Sequence, residues 1–233
     1  MIEITLTMVE GFEPAIRGMR NSWDSWDKSD SLICTADIID NCPMIFHPFE
    51  PAVECSDERF GHCCIGKNDL ALMKKLIKAG TDHRKFLRMI TVWCDIIAPL
   101  YWWKEFDTYK EGTVANSCST MHCIADKEFT VDDFSCEYLK EINFDTAVLL
   151  YVLNMLRKLY FQAKNTDTKQ KYWYSMIQLL PSSYNQKRTV MLNYEVLMNI
   201  YKARKNHRLD EWKDFCQWVE ELPYMKELLE DLK

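Results

Sequence analysis

The feature that most limits what this chain can fold into is the helical spacing of apolar residues through its second half. Between about Leu209 and Glu221, the residues Trp212, Phe215, Cys216, Trp218 and Val219 recur at helical intervals, as on a helix with one buried face. Amphipathic stretches of the same kind cover about Asp145–Ala163, Asp167–Leu180 and Thr189–Arg204. The first half reads differently. Asn68 is the expected N-cap of a helix whose apolar face is Leu70, Met73, Leu76 and Ile77, with Gly80 as its stop. Residues 86–97, FLRMITVWCDII, are rich in β-formers and predict a strand. Pro99 then stands where a helix commonly opens, and YWWKEFDTYKEG continues it to Gly112, leaving TVANSCSTMH as a loop or short turn. The expectation is an α+β fold, mostly helical, with a central antiparallel or mixed sheet supplied by the N-terminal half. It forms a single domain over 1–233, interrupted by an irregular excursion at about 30–66 that holds three of the seven prolines.

Composition removes several function classes. Six glycines in 233 residues leave neither a GxGxxG nor a GxxxxGKS loop, so any nucleotide is held without those devices. Ten cysteines raise the question of a metal, since Cys34, Cys42, Cys55, His62, Cys63 and Cys64 fall within one short stretch. None has the CxxC spacing that presents two thiolates to one ion, so ordinary half-buried thiols are the favoured reading and no metal site is assigned. The acidic N-terminus, MIEITLTMVEGFEP, lacks a basic region followed by an apolar run, and no stretch approaches the roughly 20 apolar residues of a membrane span. A cytoplasmic protein is expected, with no membrane partner.

The net charge of −6 argues against a nucleic-acid duplex as partner, but the charge is uneven. Residues 184–208 carry six Lys or Arg against one acid, Glu195, whereas 209–233 carry eight acids against three lysines. A basic patch on an acidic protein suits a small phosphorylated ligand; two solvated helix faces are the plainer alternative.

Taken together, the order of elements and certain residues resemble the flavin-dependent thymidylate synthases over roughly 13–28 and 67–222, leaving the cysteine-rich excursion unmatched. Arg20, Asn21, Ser22 and Trp23 look like that family's early Arg-x-Ser-aromatic segment. His83 falls on its histidine ahead of the strand, counting back from Ala98-Pro99. Leu180-Pro181 leads without a gap to Asn193, then to Leu197-Met198-Asn199 and Arg204, which look like residues of the family's flavin- and nucleotide-contacting helix. The family signature (Arg-His-Arg, two residues, Ser, one residue, Asn-Glu, one residue, Ser, one residue, Arg) is altered. Thr108, Tyr109 and Lys110 stand at Arg-His-Arg and Thr113 at the first Ser. With one inserted residue, Asn116 meets the Asn and Ser119 the second Ser, and Met121 replaces the final Arg. Such an altered signature is similar to that of proteins from bacteria and their phages.

The resemblance implies reductive methylation of dUMP at C5, with FAD, a reduced nicotinamide and methylenetetrahydrofolate, in a homotetramer. It implies catalytic roles for Lys110, Thr113, Ser119 and Arg204, and cofactor contacts from His83, Tyr109, Asn193, Asn199 and Arg204. Substrate contacts would come from Asn116, Ser119, Lys187, Arg188 and Arg204. Neither Thr nor Met reproduces an arginine fork, and each lost charge-assisted contact is worth about 1.5–3 kcal/mol. A non-catalytic nucleotide-binding or interaction protein that kept the scaffold and lost flavin is therefore the competing reading, and a purely structural protein a third. A hydrolase built on Ser119 and His122 lacks a nucleophile elbow. Asp132-Asp133 reads as helix-start chemistry. Asn193 and Asn199 have a plainer alternative in bonding neighbouring helices, and His83 in capping a strand end.

Overall fold

A computed structural model of the chain describes residues 2–33, 63–143 and 145–230. Most of the excursion expected over 30–66 lies outside the described residues, and with it Cys34, Cys42, Cys55 and His62. In chain order the first elements are β1 (Glu3–Glu10), α1 (Phe12–Asn21), β2 (Leu32–Ile33), β3 (Cys63–Cys64), α2 (Lys67–Lys78) and β4 (Thr91–Pro99). Then come α3 (Leu100–Phe106), β5 (Val114–Ser117), α4 (Thr120–Cys123), α5 (Glu137–Glu141), α6 (Ala147–Gln162) and α7 (Thr166–Leu179). The chain continues through β6 (Asn185–Asn193), α8 (Tyr194–Arg204), α9 (Asp210–Glu220) and α10 (Met225–Leu229). The fold is α+β, with a four-stranded antiparallel sheet in the order β1-β4-β6-β5.

Five expectations are corrected, the first being the loop expected after Gly112, where Val114–Ser117 form the edge strand β5. Residues 85–89 form a 3-10 turn that buries Phe86 and Leu87, so the strand starts at Thr91. From there it alternates, burying Val92, Cys94, Ile96 and Ala98 at every second position. The helix after Pro99 stops at Phe106, six residues before Gly112. Trp102, Trp103 and Phe106 exhaust its apolar face, and the Thr108 hydroxyl turns back to the Glu105 carbonyl at 2.7 Å. The stretch Thr189–Asn193 is strand rather than helix, so the second half contributes β6 to the sheet. Finally, α2 begins at Lys67 with Gly66 as its N-cap, and Asn68 lies inside it. By contrast, α9 follows its expected span closely and buries Trp212, Phe215, Cys216 and Val219. Burying each of the large apolar side chains contributes about 1.5–3 kcal/mol.

Two compact units make up the chain. The first comprises 1–3, 96–108 and 115–189. Its α6 and α7 pack on a core of Ile124, Ala125, Phe129, Phe134, Leu153 and Met176. Asn154 ties that core to the preceding loop, accepting from the Phe129 amide at 2.9 Å and donating to its carbonyl at 2.8 Å. Asp133 closes a capping box with Thr130, which accounts for the acidic pair as helix-start chemistry.

The second unit comprises 4–95, 109–114 and 190–233. Here α1 and α8 both pack on the 85–89 turn, and α9 packs on α8 and α10. Gly11, at φ 101°, passes the Met89 carbonyl so closely that a Cβ would lie 2.0 Å from its oxygen. A buried ion pair joins Arg20 of α1 to Asp69 of α2 at 2.6 Å. The second Asp69 oxygen accepts from the Ser29 and Ser31 hydroxyls (2.7 and 2.6 Å) and from the Asp30 and Ser31 amides. Asp30 reciprocates, its carboxylate accepting from the Asn68 and Asp69 amides at the start of α2 (2.9 and 3.1 Å). Burial alone would raise the Asp69 carboxyl, but bonds from Ser31, Ser29 and Arg20 outweigh it and hold the group below its ordinary value. Beside this network β2 pairs antiparallel with β3, Leu32 opposite Cys64.

Candidate functional site

The expected site residues divide between the two units: His83, Tyr109, Lys110, Thr113, Asn193, Asn199 and Arg204 in the second, and Asn116, Ser119, Lys187 and Arg188 in the first.

In the second unit, β6 runs directly into α8 through Asn193. Its side chain caps the helix, accepting from the Val196 amide at 3.0 Å. The chain following Tyr109 approaches this cap at Gly112, which takes φ 75°; a Cβ there would lie 2.8 Å from Asn193 Nδ2. Three turns further along α8, half-buried Arg204 donates through Nε to the Tyr109 hydroxyl at 2.8 Å. Its guanidinium lies 4.8 Å from the Trp212 ring centre and 5.6 Å from that of Tyr109. Thr113 donates its hydroxyl to the Tyr109 carbonyl, fixing the bend that carries exposed Lys110. Arg204, Tyr109 and Thr113 are thus brought together, with Lys110 on the same bend.

Asn199 and His83 belong to a different surface of α8. Asn199 accepts from Arg84 at 2.8 Å, and Arg84 Nε reaches Glu195 at 3.3 Å. Arg88 donates to the other Glu195 oxygen. His83 is exposed on the turn ahead of Arg84, with its amide bonded to the Gly80 carbonyl at 3.1 Å. Sequence reasoning missed Arg84 and Arg88. The signal that could have found them is Glu195, the one acid among six basic residues: it is buried and takes two arginines.

In the first unit the β5–β6 pairing continues past Ser117, the Cys118 amide donating to the Lys187 carbonyl at 2.9 Å. Arg188 lies 4.1 Å from the Trp103 ring centre, bonded to Asp107 at 2.6 Å and to the Gln186 side chain at 2.9 Å. Gln186 passes this order on, donating to the Cys118 carbonyl and the Thr120 hydroxyl, both at 3.1 Å. Ser119 is the N-cap of α4, its hydroxyl accepting from the His122 amide at 3.3 Å. That cap also explains why His122 Nδ1 lies 2.8 Å from the same oxygen. Asn116 and Lys187 are exposed on β5 and β6.

A guanidinium on aromatic faces, a lysine on the adjoining bend and nearby hydroxyls suit an anionic ligand with a planar ring. No family model matches the chain, and no curated protein matches it. Solved structures do. The α+β fold is that of thymidylate synthase X (ThyX) from Helicobacter pylori, crystallised with FAD and dUMP. That match has a TM-score of 0.65 and 15% identity, over 99% of this chain and 98% of the other. A second structure, of the flavin-dependent thymidylate synthase ThyX from the same organism complexed with FAD and dUMP, matches with a TM-score of 0.64. It too is 15% identical, over 98% of each chain. The superposition establishes the shared fold, and at this identity the fold alone.

Proposed function

We propose that this chain is a diverged thymidylate synthase-like protein that binds a pyrimidine nucleotide of the dUMP class together with a flavin. We read it as one such domain over 1–233, cytoplasmic and homotetrameric. The observation that carries the reading is the likeness over nearly the whole chain to a protein crystallised with FAD and dUMP. In this reading Arg204, steered by the Tyr109 hydroxyl, contacts the nucleotide phosphate or a ring oxygen. Lys110 adds a point charge in place of a planar fork. Thr113 sets the bend that carries Lys110. Asn116, Ser119 and Lys187 line the substrate loop, and Arg188 orders that loop through Asp107 and Gln186. His83 and Tyr109 contact the flavin. When bound, reduced flavin would supply the hydride and methylenetetrahydrofolate the one-carbon unit for C5. The chain's own work is orientation and charge neutralisation.

A second reading, nucleotide binding without flavin, is favoured by one observation. The Asn193 and Asn199 amides that the flavin reading would use are engaged in a helix cap and an Arg84 contact. Flavin uptake separates the two. The purified chain with about 100 μM FAD should retain visible flavin absorbance through gel filtration, perturbed by added dUMP. Binding of dUMP without flavin selects the second reading, and binding of neither ligand removes both.

A further inference from the structure

Two cysteines of the first unit are exposed, Cys118 and Cys123, whereas Cys64, Cys94, Cys136 and Cys216 are buried. The two exposed thiols flank α4 in a particular register. Ser119 is the N-cap, so Cys118 occupies the position before the cap and Cys123 the fourth helical position. In many helices those two positions hold a pair of apolar side chains that touch across the cap. Here they hold two thiols, and the Cys123 side chain has Cys118 and Asp126 as its electrostatic neighbours. The backbone on both sides is fixed. The Cys118 amide and carbonyl bond to Lys187 and Gln186, and the Cys123 amide donates to the Ser119 carbonyl at 3.0 Å. Partial loss of hydration, then the neighbouring Cys118 and Asp126, hold the Cys123 thiol above its ordinary value.

From this juxtaposition of exposed, neighbouring thiols across the Ser119 cap, we infer that Cys118 and Cys123 are an oxidation site closed to an intrachain disulfide by hydrogen peroxide. The Cys118 sulfur, as thiolate, attacks one peroxide oxygen. An S–O bond forms, the O–O bond breaks, and one water leaves as Cys118 becomes a sulfenic acid. Cys123 loses its proton and attacks that sulfur, the S–S bond forms, the S–O bond breaks, and a second water leaves. The two thiols give up two electrons and two protons, and the peroxide takes both. The disulfide closes a five-residue step around Ser119 and clasps the loop that carries it.

The closing experiment uses the full chain and no nucleotide, so its outcome is independent of the function proposed above. The tryptic peptide from Glu111 to Lys127 contains Cys118 and Cys123 and no other cysteine. After treatment with one equivalent of hydrogen peroxide and then iodoacetamide, this peptide should lose two hydrogens and both alkylation sites. Dithiothreitol should restore both sites. In Cys123→Ser, dimedone should label Cys118; in Cys118→Ser, Cys123 should remain alkylatable after the same dose. Full alkylation of both cysteines in the treated native chain would overturn the inference, as would a Cys118 bond to any other cysteine.

Discussion

Two arginines in this molecule rest against tryptophan rings, and their second partners differ. Arg188 meets Trp103 and a carboxylate, Asp107, at 2.6 Å; Arg204 meets Trp212 and a phenol, Tyr109, at 2.8 Å. Both bonds aim a guanidinium, one beside the loop that follows β5 and one at the end of α8. The sequence treats the two alike, as basic residues on either side of Glu195. The structure separates an arginine that orders a loop from one that sits at a helix end next to the bend carrying Lys110.

The largest effect should come from Arg204→Ala. Loss of one charge-assisted contact, about 1.5–3 kcal/mol, should weaken dUMP binding by calorimetry about 10- to 150-fold. Arg188→Ala should lower dUMP affinity less, and should cost about 1–2 kcal/mol in denaturant unfolding from the partly exposed ion pair and the ring contact. Equal loss of nucleotide affinity in both variants would erase the distinction. The smallest effect sharpens the reading of α8: Asn193→Ala should cost about 1 kcal/mol, whereas Asn193→Asp, which still accepts from Val196, should retain stability. If Asn193→Asp unfolds as readily as Asn193→Ala, the cap is not what this residue contributes.

Helices that bury one face along their whole length were legible, α9 above all. Its Trp212, Phe215, Cys216 and Val219 follow a single period from first turn to last. The boundary between β6 and α8 was not. Val190 and Leu192 alternate as a strand requires, but they run into Tyr194, Leu197 and Met198 without glycine or proline. The one local mark was Asn193, a good N-cap residue. At α3 the error ran the other way. The run YWWKEFDTYKEG predicts a helix as far as Gly112, yet Tyr109 lies beyond its end, where its ring meets Trp212 and Arg204. The Arg84–Asn199 and Arg88–Glu195 contacts join residues more than a hundred positions apart, and no local pattern announces such pairings. What the sequence could offer there was an anomaly, one acid in a basic run.

The reciprocal bonds between Asp30 and Asp69 have a consequence for how this chain can vary. Together with the β2–β3 pairing and the Ser31 hydroxyl on the Gly66 amide at 3.0 Å, they pin residues 29–33 to residues 63–69. Once the two ends of a stretch are tied to each other, its length enters the free energy only through closure, about 0.6 kcal/mol for each doubling. The bonds that hold residues 29–33 against residues 63–69 are therefore a clasp made by those two short segments themselves, and it fixes α1 against α2 from both sides.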